Sequence, residues 1–420
     1  MTIFYDVIFL LISLVYLPLY LIRRKFHRGF IQRIGLLPRA LELHHPIWIH
    51  AVSVGEAVMV RPLLEELRRA YPGKKFVIST VTPTGNKIAR QMAGKDDFVT
   101  YLPLDFSFVV KAVISRVKPS LFIIAETELW PNLILCLHAY RIPVVVVNGR
   151  ISDASFRGYR AIRFLFSALF NRVTLFSVQT SRDRDRLIAL GVTSDKIRVA
   201  GNMKFDITAD PGRDFSAYRN ALGLVPSQKL IVAGSTHPQE EEIILAVYKE
   251  LLLTHPDTRL IIAPRHPERA LEIEKLIAGF GFASMKISEV ARQPASAGQR
   301  PVFILDTVGH LMAYYAIADI VFVGGSLTQK GGHNILEPAV FGKPILFGPH
   351  MFNFRDIARL FLEEGAALLV HGKEELSLRM QELLDNPARG SRLGERAREL
   401  IRKNQGATQK NMQLIRSLQQ

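Results

Sequence analysis

Three carboxylates and one ammonium group stand where chemistry would need them. Ser53-Val54-Gly55-Glu56 closes an apolar run and opens a helical pattern. Glu56 there suits a general base, its pKa lifted by burial. The same Ser-x-x-Glu spacing is a capping box, in which the two side chains satisfy helix N-terminal donors. Spacing leaves both readings open, and Gly55 allows a substrate to come close. Glu126 follows the buried run Leu121–Ile124 within Ala125-Glu126-Thr127-Glu128-Leu129-Trp130-Pro131-Asn132. A carboxylate emerging there has little structural purpose unless it pairs or acts. Thr127 or Glu128 is a candidate cap for the next helix. Lys204, in Gly201-Asn202-Met203-Lys204-Phe205-Asp206, is either a plain exposed lysine or a partner for a carboxylate or phosphate.

The third carboxylate, Glu337, belongs to a longer pattern. Val321–Val323 runs into Gly324-Gly325-Ser326, then Gly331-Gly332-His333-Asn334-Ile335-Leu336-Glu337-Pro338 and Gly342-Lys343-Pro344. Glycines ahead of a helix let backbone amides approach an anion. Glu337 could accept hydrogen bonds from two ribose hydroxyls, or could simply serve the helix dipole. The full spacing resembles the nucleotide-sugar signature of GT-B glycosyltransferases, in which the Glu grips the ribose. Pro264-Arg265-His266-Pro267 ends another apolar run, where an Arg pairs bidentately with phosphate or is merely solvated. Val308-Gly309-His310 follows another strand end, and either lines a base or phosphate pocket or is a helix-start turn. Gly234-Ser235-Thr236-His237 either binds phosphate or caps the helix starting near Glu240.

Elements that could hold these groups are legible as apolar runs alternating with amphipathic stretches. The first series is Ile47–Val52, Phe76–Thr80, Leu121–Ala125, Val144–Val147 and Leu175–Gln179, with helical patterns such as Glu56–Ala70 and Ser155–Phe170 between them. The second is Leu230–Ala233, Arg259–Ala263, Val302–Leu305, Ile320–Val323, Pro344–Phe347 and Ala367–Val370. Such alternation predicts parallel sheets with helices on both faces. The division expected is a membrane anchor over residues 1–24, an acceptor-side Rossmann-like domain over 25–205, and a linker over 206–226 around Asp210-Pro211-Gly212. A nucleotide-sugar domain over 227–385 and a C-terminal helix over 386–420, packing back on the first domain, complete it. Two such sheets predict a central cleft at the strand C-terminal ends.

Ile3–Ile22 is nearly all apolar, with Asp6 its only charge, and about 20 helical residues span a bilayer core. Arg23, Arg24, Lys25, His27, Arg28 and Arg33 follow, an order that keeps the next domain cytoplasmic and excludes a cleaved signal. A buried core helix and a helix lying in the membrane interface are the alternatives. The net charge of +16 suits nucleic acid, an anionic membrane or a phosphorylated substrate. No nucleic-acid motif accompanies it. The single cysteine, Cys136, makes no internal disulfide, and no Cys/His set has zinc spacing.

Assembled, these motifs resemble the 3-deoxy-D-manno-octulosonic acid (Kdo) transferases of lipopolysaccharide assembly. The landmarks are residues 53–56, 125–132, Asn148-Gly149-Arg150-Ile151-Ser152-Asp153, 201–206, 264–267 and 334–337. The resemblance implies a GT-B fold, a CMP-Kdo donor, a lipid A precursor (lipid IVA) as acceptor, membrane lipids as surroundings, and no nucleic acid. It implies Glu56 as general base and Glu126 and Lys204 as transition-state stabilisers. Pro264, Arg265, Val308, Gly309, His310, Asn334, Ile335, Leu336 and Glu337 fall on its CMP site. This chain carries His310 where Glu commonly follows the glycine. No cofactor and no metal are expected, and the location implied is the cytoplasmic side of the inner membrane. Rival readings are another GT-B glycosyltransferase of envelope lipids using a different nucleotide sugar, a sugar-nucleotide epimerase and a tethered nucleic-acid binder.

Overall fold

The computed structural model describes residues 2–22, 29–38, 41–209, 214–290 and 300–418. The basic cluster at 23–28, the expected boundary at 24 and the Asp210-Pro211-Gly212 turn lie outside them. The chain divides into two units, Met1–Asp206 with Asn404–Gln420, and Ile207–Lys403.

The first unit is built on a seven-stranded parallel sheet. Its strands are β1 (Ile47–His50), β2 (Phe76–Thr80), β3 (Phe98–Tyr101), β4 (Leu121–Ala125), β5 (Val144–Gly149), β6 (Leu175–Val178) and β7 (Ile197–Val199). Their order, β3-β2-β1-β4-β5-β6-β7, reverses between β1 and β4. Helices cover both faces, so β1, β2, β4 and β5 are buried throughout and appear in sequence as unbroken apolar runs. One face carries Ile47, Ile49, Ile123 and Ala125, against Val60, Leu63 and Leu67 of the helix Val54–Ala70. The terminal helix Ala407–Ser417 adds Met412 and Ile415 to that same core. The other face carries Trp48, Phe122 and Ile124 with the helices Ser107–Val117 and Pro131–Ala139.

The second unit repeats the design. Its strands are β8 (Lys229–Thr236), β9 (Thr258–Pro264), β10 (Ser284–Lys286), β11 (Val302–Ile304), β12 (Ile320–Val323), β13 (Ile345–Phe347) and β14 (Leu368–Leu369). The order β10-β11-β9-β8-β12-β13-β14 reverses between β8 and β12. In an open parallel sheet, loops at such a reversal splay apart and leave room for a ligand.

β3, β7 and β10 are absent from the sequence expectation. All three stand at a sheet edge; β7 and β10 have few or no buried residues, while β3 is buried at three of its four positions. Half-exposed edge strands carry no apolar run to announce them. The single helix expected over Ser155–Phe170 is two, Asp153–Ala161 and Arg163–Phe170, with Ile162 between them off helical geometry.

The membrane-spanning expectation needs correction. Among the described residues no helix is long and apolar enough to cross a membrane. The helix Thr2–Ile22 is tied to the first unit near its start by the residue a bilayer would least tolerate. Asp6 accepts hydrogen bonds from the Ser107 amide (2.9 Å), the Ser107 hydroxyl and Asn132 Nδ2 (2.7 Å). The Phe9 ring meets Phe106 edge-on at 4.9 Å. Tyr5, Asp6, Phe9 and Ser13 form the half-buried stripe at helical spacing. Ile3, Val7, Leu11, Leu14 and Val15 are exposed.

Candidate active site

In the first unit the reversal between β1 and β4 brings the first two carboxylates to one edge. Ser53 is the N-cap of the helix Val54–Ala70, with an extended backbone and a hydroxyl that accepts from the Glu56 amide. Glu56 reaches back: Oε2 accepts from the Val52 amide at 2.7 Å and Oε1 from the Ser53 hydroxyl at 3.1 Å. The cap is therefore real, displaced by one residue from the standard box. Glu56 also has the character of a base. Burial pushes its pKa up to about 7, and the charges of Glu126 and Glu128 add to the rise, against the two hydrogen bonds. The cap reading holds, and the raised pKa lets the same carboxyl exchange a proton near neutrality.

Glu126 emerges from β4 in the left-handed region, at φ 56°. That is an uncommon backbone for a side chain with a Cβ, held because the surroundings determine it. Its Oε1 meets Lys204 Nζ at 3.0 Å. Lys204 is therefore a paired lysine, 27% exposed. The turn Met203–Asp206 carrying it is pinned on both sides. The Met203 amide donates to Asn148 Oδ1 at 2.8 Å, and Asp206 accepts the Gly406 amide at 2.6 Å and the Thr408 amide. Asp206 thus caps the terminal helix, whose start holds the Lys204 segment in turn.

Neither Thr127 nor Glu128 caps the next helix, as the sequence had suggested. Thr127 Oγ1 instead exchanges hydrogen bonds with Arg150, donating to its carbonyl at 2.7 Å and accepting its amide at 2.9 Å. The helix Pro131–Ala139 is capped by Asp105, which accepts the amides of Asn132 (3.0 Å) and Leu133 (2.8 Å). No local spacing signals a cap that arrives from another strand's loop.

In the second unit, Pro264 is buried at the end of β9, and the Arg265 amide donates to the Thr236 carbonyl at 3.0 Å. The Arg265 side chain is exposed. Val308 is 84% exposed, Gly309 has φ +91°, and His310, also exposed, precedes the helix Leu311–Ile317. Asn334 Nδ2 donates to Glu337 Oε1 at 3.2 Å, and Asn334 Oδ1 accepts the Leu336 amide at 3.2 Å. Burial raises the Glu337 pKa, while Asn334 and the charge of Arg265 oppose the rise. Ile335 and Leu336 are fully buried core residues, leaving only their backbone for a nucleotide. The helix holding Glu337, Leu336–Ala339, is a single turn and carries little dipole.

The glycine turn after β12 does not offer its amides to a ligand. The amides of Gly325 (2.7 Å), Ser326 (2.9 Å) and Leu327 (2.9 Å) point to the fully buried carboxylate of Glu240, which also accepts the His237 amide at 3.0 Å. The anion expected there is an internal one. Gly324 is required for close approach, since a Cβ would lie 2.6 Å from the Ser235 carbonyl oxygen. Nor does Ser235 or Thr236 cap the helix Glu240–Thr254, which begins from Gln239 without a side-chain cap. Ser235, at φ 57°, turns the chain near the end of β8, where the pairing with β9 shifts register.

That turn delivers a pair that spacing did not reveal. His237 and His333 stack with planes 6° apart, their Nε2 atoms 2.9 Å from each other. Burial, with Lys330, His266, Arg269 and Arg265 around His237, pushes its pKa down to about 4. Burial, Arg265, His237 and His266 do the same to His333, also to about 4. The edge of this unit is electropositive and suits an anion. Among the described residues no group of three or more His, Cys, Asp or Glu could hold a metal ion.

Two Rossmann-like parallel sheets, each with polar groups gathered at its reversal, define a GT-B-like protein. A solved UDP-GlcNAc 2-epimerase from Neisseria meningitidis is similar in fold alone, with a TM-score of 0.54 at 14% identity, over 86% of this chain and 99% of that one. Residues 28–207 match the family model described as 3-Deoxy-D-manno-octulosonic-acid transferase (kdotransferase). The chain is 35% identical to a 3-deoxy-D-manno-octulosonic acid transferase of Haemophilus influenzae, over 88% of this chain and 86% of the relative. It is 31% identical to one of Chlamydophila psittaci, over 92% and 89%. The chain belongs to the Kdo transferase family, a family of glycosyltransferases.

Proposed function

We propose that the enzyme moves Kdo from CMP-Kdo to a lipid A precursor with inversion at the anomeric carbon, Glu56 acting as general base. The observation that carries this is Glu56 itself, a half-buried carboxylate with its pKa raised to about 7, near the Glu126–Lys204 pair. Glu56 takes the proton of the acceptor hydroxyl as that oxygen bonds to the anomeric carbon. The bond from that carbon to the CMP phosphate oxygen breaks, and CMP leaves with the electron pair. The transition state has oxocarbenium character, which the Glu126–Lys204 pair stabilises. In the second unit, Arg265 faces the leaving phosphate and Glu337 the ribose, and the turn Val308–His310 borders the nucleotide. The leaving group carries a single phosphate, so no step requires a metal.

The acceptor reading draws on the exposed apolar face of the helix Thr2–Ile22 and on the net charge of +16. We infer that this helix lies in the membrane interface, on the cytoplasmic side of the inner membrane, rather than crossing it.

Transfer of radiolabelled Kdo, supplied as CMP-Kdo made in situ, onto tetraacylated lipid A precursor tests the whole reading. Labelled lipid, formed equally well in excess EDTA, is expected. Folded enzyme that binds CMP but labels no lipid would refute the acceptor, and activity restored only by a divalent cation would refute the metal-free step.

A further inference from the structure

The reaction just described gives no task to the two stacked histidines of the second unit. His237 leaves β8 and His333 lies in the loop after β12, so the reversal of strand order brings the rings together. Their Nε2 atoms, 2.9 Å apart, share one proton: one ring donates N–H and the other accepts it with a lone pair. Neutral imidazoles carry one N–H each. The donor ring therefore has a bare Nδ1 and the acceptor ring a protonated one.

The surroundings decide what the pair does next. Arg265, Arg269, Lys330 and His266 face His237, and Arg265 and His266 face His333. The nearby carboxylate of Glu240 is committed to four backbone amides, including that of His237. Glu337 is held by Asn334 and lies within the field of Arg265. Cations thus dominate, and the empty pair stays neutral. Pro238 and Gln239, next in sequence to His237, line a pocket of about 480 Å³ together with Leu327–Lys330 and His350.

We propose that the His237–His333 pair binds the anionic group of the donor, a phosphoryl or carboxylate oxygen, and takes up one proton from solvent as it does so. The proposal rests on the donor reading above. An arriving anion reverses the local field. A bare Nδ1 turned to it would repel it, whereas a second proton makes that nitrogen a donor and leaves the bridging proton in place. The pair then presents two N–H groups and one positive charge, and it returns the proton to solvent once the nucleotide leaves.

Calorimetry on the full-length enzyme in detergent tests this directly. The probe is the methyl ester of CMP, a phosphodiester with no ionisation of its own near neutrality. Titration in buffers of different ionisation enthalpy counts the protons taken up. About one proton per ligand is expected near neutrality, with affinity rising up to about tenfold for each unit the pH is lowered. His237→Gln and His333→Gln each lose the uptake and the pH slope, and bind about tenfold more weakly or worse. If one variant misfolds, the other carries the comparison. Free Kdo separates the two sources: uptake with the ester assigns the phosphoryl group, and uptake with Kdo alone assigns the carboxylate. Binding of both probes without uptake, or uptake that persists in the variants, overturns the pair's role and leaves the donor reading intact. A folded enzyme that binds neither overturns both.

Discussion

Glu56 caps its own helix and is proposed to take the acceptor's proton, and both properties come from its being half-buried. Its two oxygens are held by Val52 and Ser53, so the carboxylate is oriented before substrate arrives. A base must be ionised to act. With a pKa near 7, transfer should rise about tenfold per pH unit below that value and level off above it. The measurement is the initial rate of Kdo transfer at saturating donor between mildly acidic and mildly alkaline pH. Glu56→Gln should lower the rate by about 10² to 10⁴ while CMP binding persists. Loss of CMP binding, or a misfolded protein, would mean the side chain serves only as a cap. The charge of Glu126 helps to hold the Glu56 pKa up. Residual activity of Glu126→Gln should therefore have its pH midpoint moved toward acid, and an unmoved midpoint would break the electrostatic link between the two.

In each unit a carboxylate committed to backbone amides holds a loop in place. Glu240 joins the turn after β8 to the turn after β12 through four backbone amides. Glu240→Ala leaves buried donors without an acceptor, a loss on the order of 3 kcal/mol or more. Hydrogen exchange of the full chain should show residues 324–327 and 234–239 opening together, and unchanged protection there would refute the role. Asp206 makes the equivalent junction in the first unit. Asp206→Ala removes the cap of the helix Ala407–Ser417, at a cost of about 1–2 kcal/mol. Faster exchange over 407–417 and slower transfer are expected together, because Lys204 shares the turn Met203–Asp206. Exchange that quickens with full transfer retained would show the cap has no bearing on Lys204.

The whole molecule combines an excess of positive charge with an apolar helix docked along one stripe. Val7 and Leu11 are half exposed or more, on the side of that helix away from Asp6. If the helix lies in a lipid interface, each such side chain contributes about 1.5–3 kcal/mol to binding. The double variant Val7→Asp, Leu11→Asp of the full chain should then bind phosphatidylglycerol vesicles about a hundredfold more weakly in cosedimentation. Wild-type binding should also weaken with salt, as anionic headgroups are screened. Equal binding by the variant would remove this face from the membrane reading.

Long buried strands and the polar residues at their ends were legible in the residues alone. A strand covered on both faces has to be a continuous apolar run, and a loop at its C-terminal end has to be spelled with glycines, hydroxyls and charges. Thus Glu56, Glu126, Arg265 and Glu337 could be singled out by local order. What tertiary structure alone decided is which of these groups meet. Lys204 pairs with Glu126, 78 residues earlier, and the amides of the glycine turn at 325–327 go to Glu240, not to a ligand. Asp105 caps a helix in another strand's loop, and His237 finds His333 across 96 residues. Pattern along a chain reports burial, because burial is set by each residue's own side chain and its near neighbours. Partnership between distant loops is set by strand order, and strand order follows from how whole elements pack.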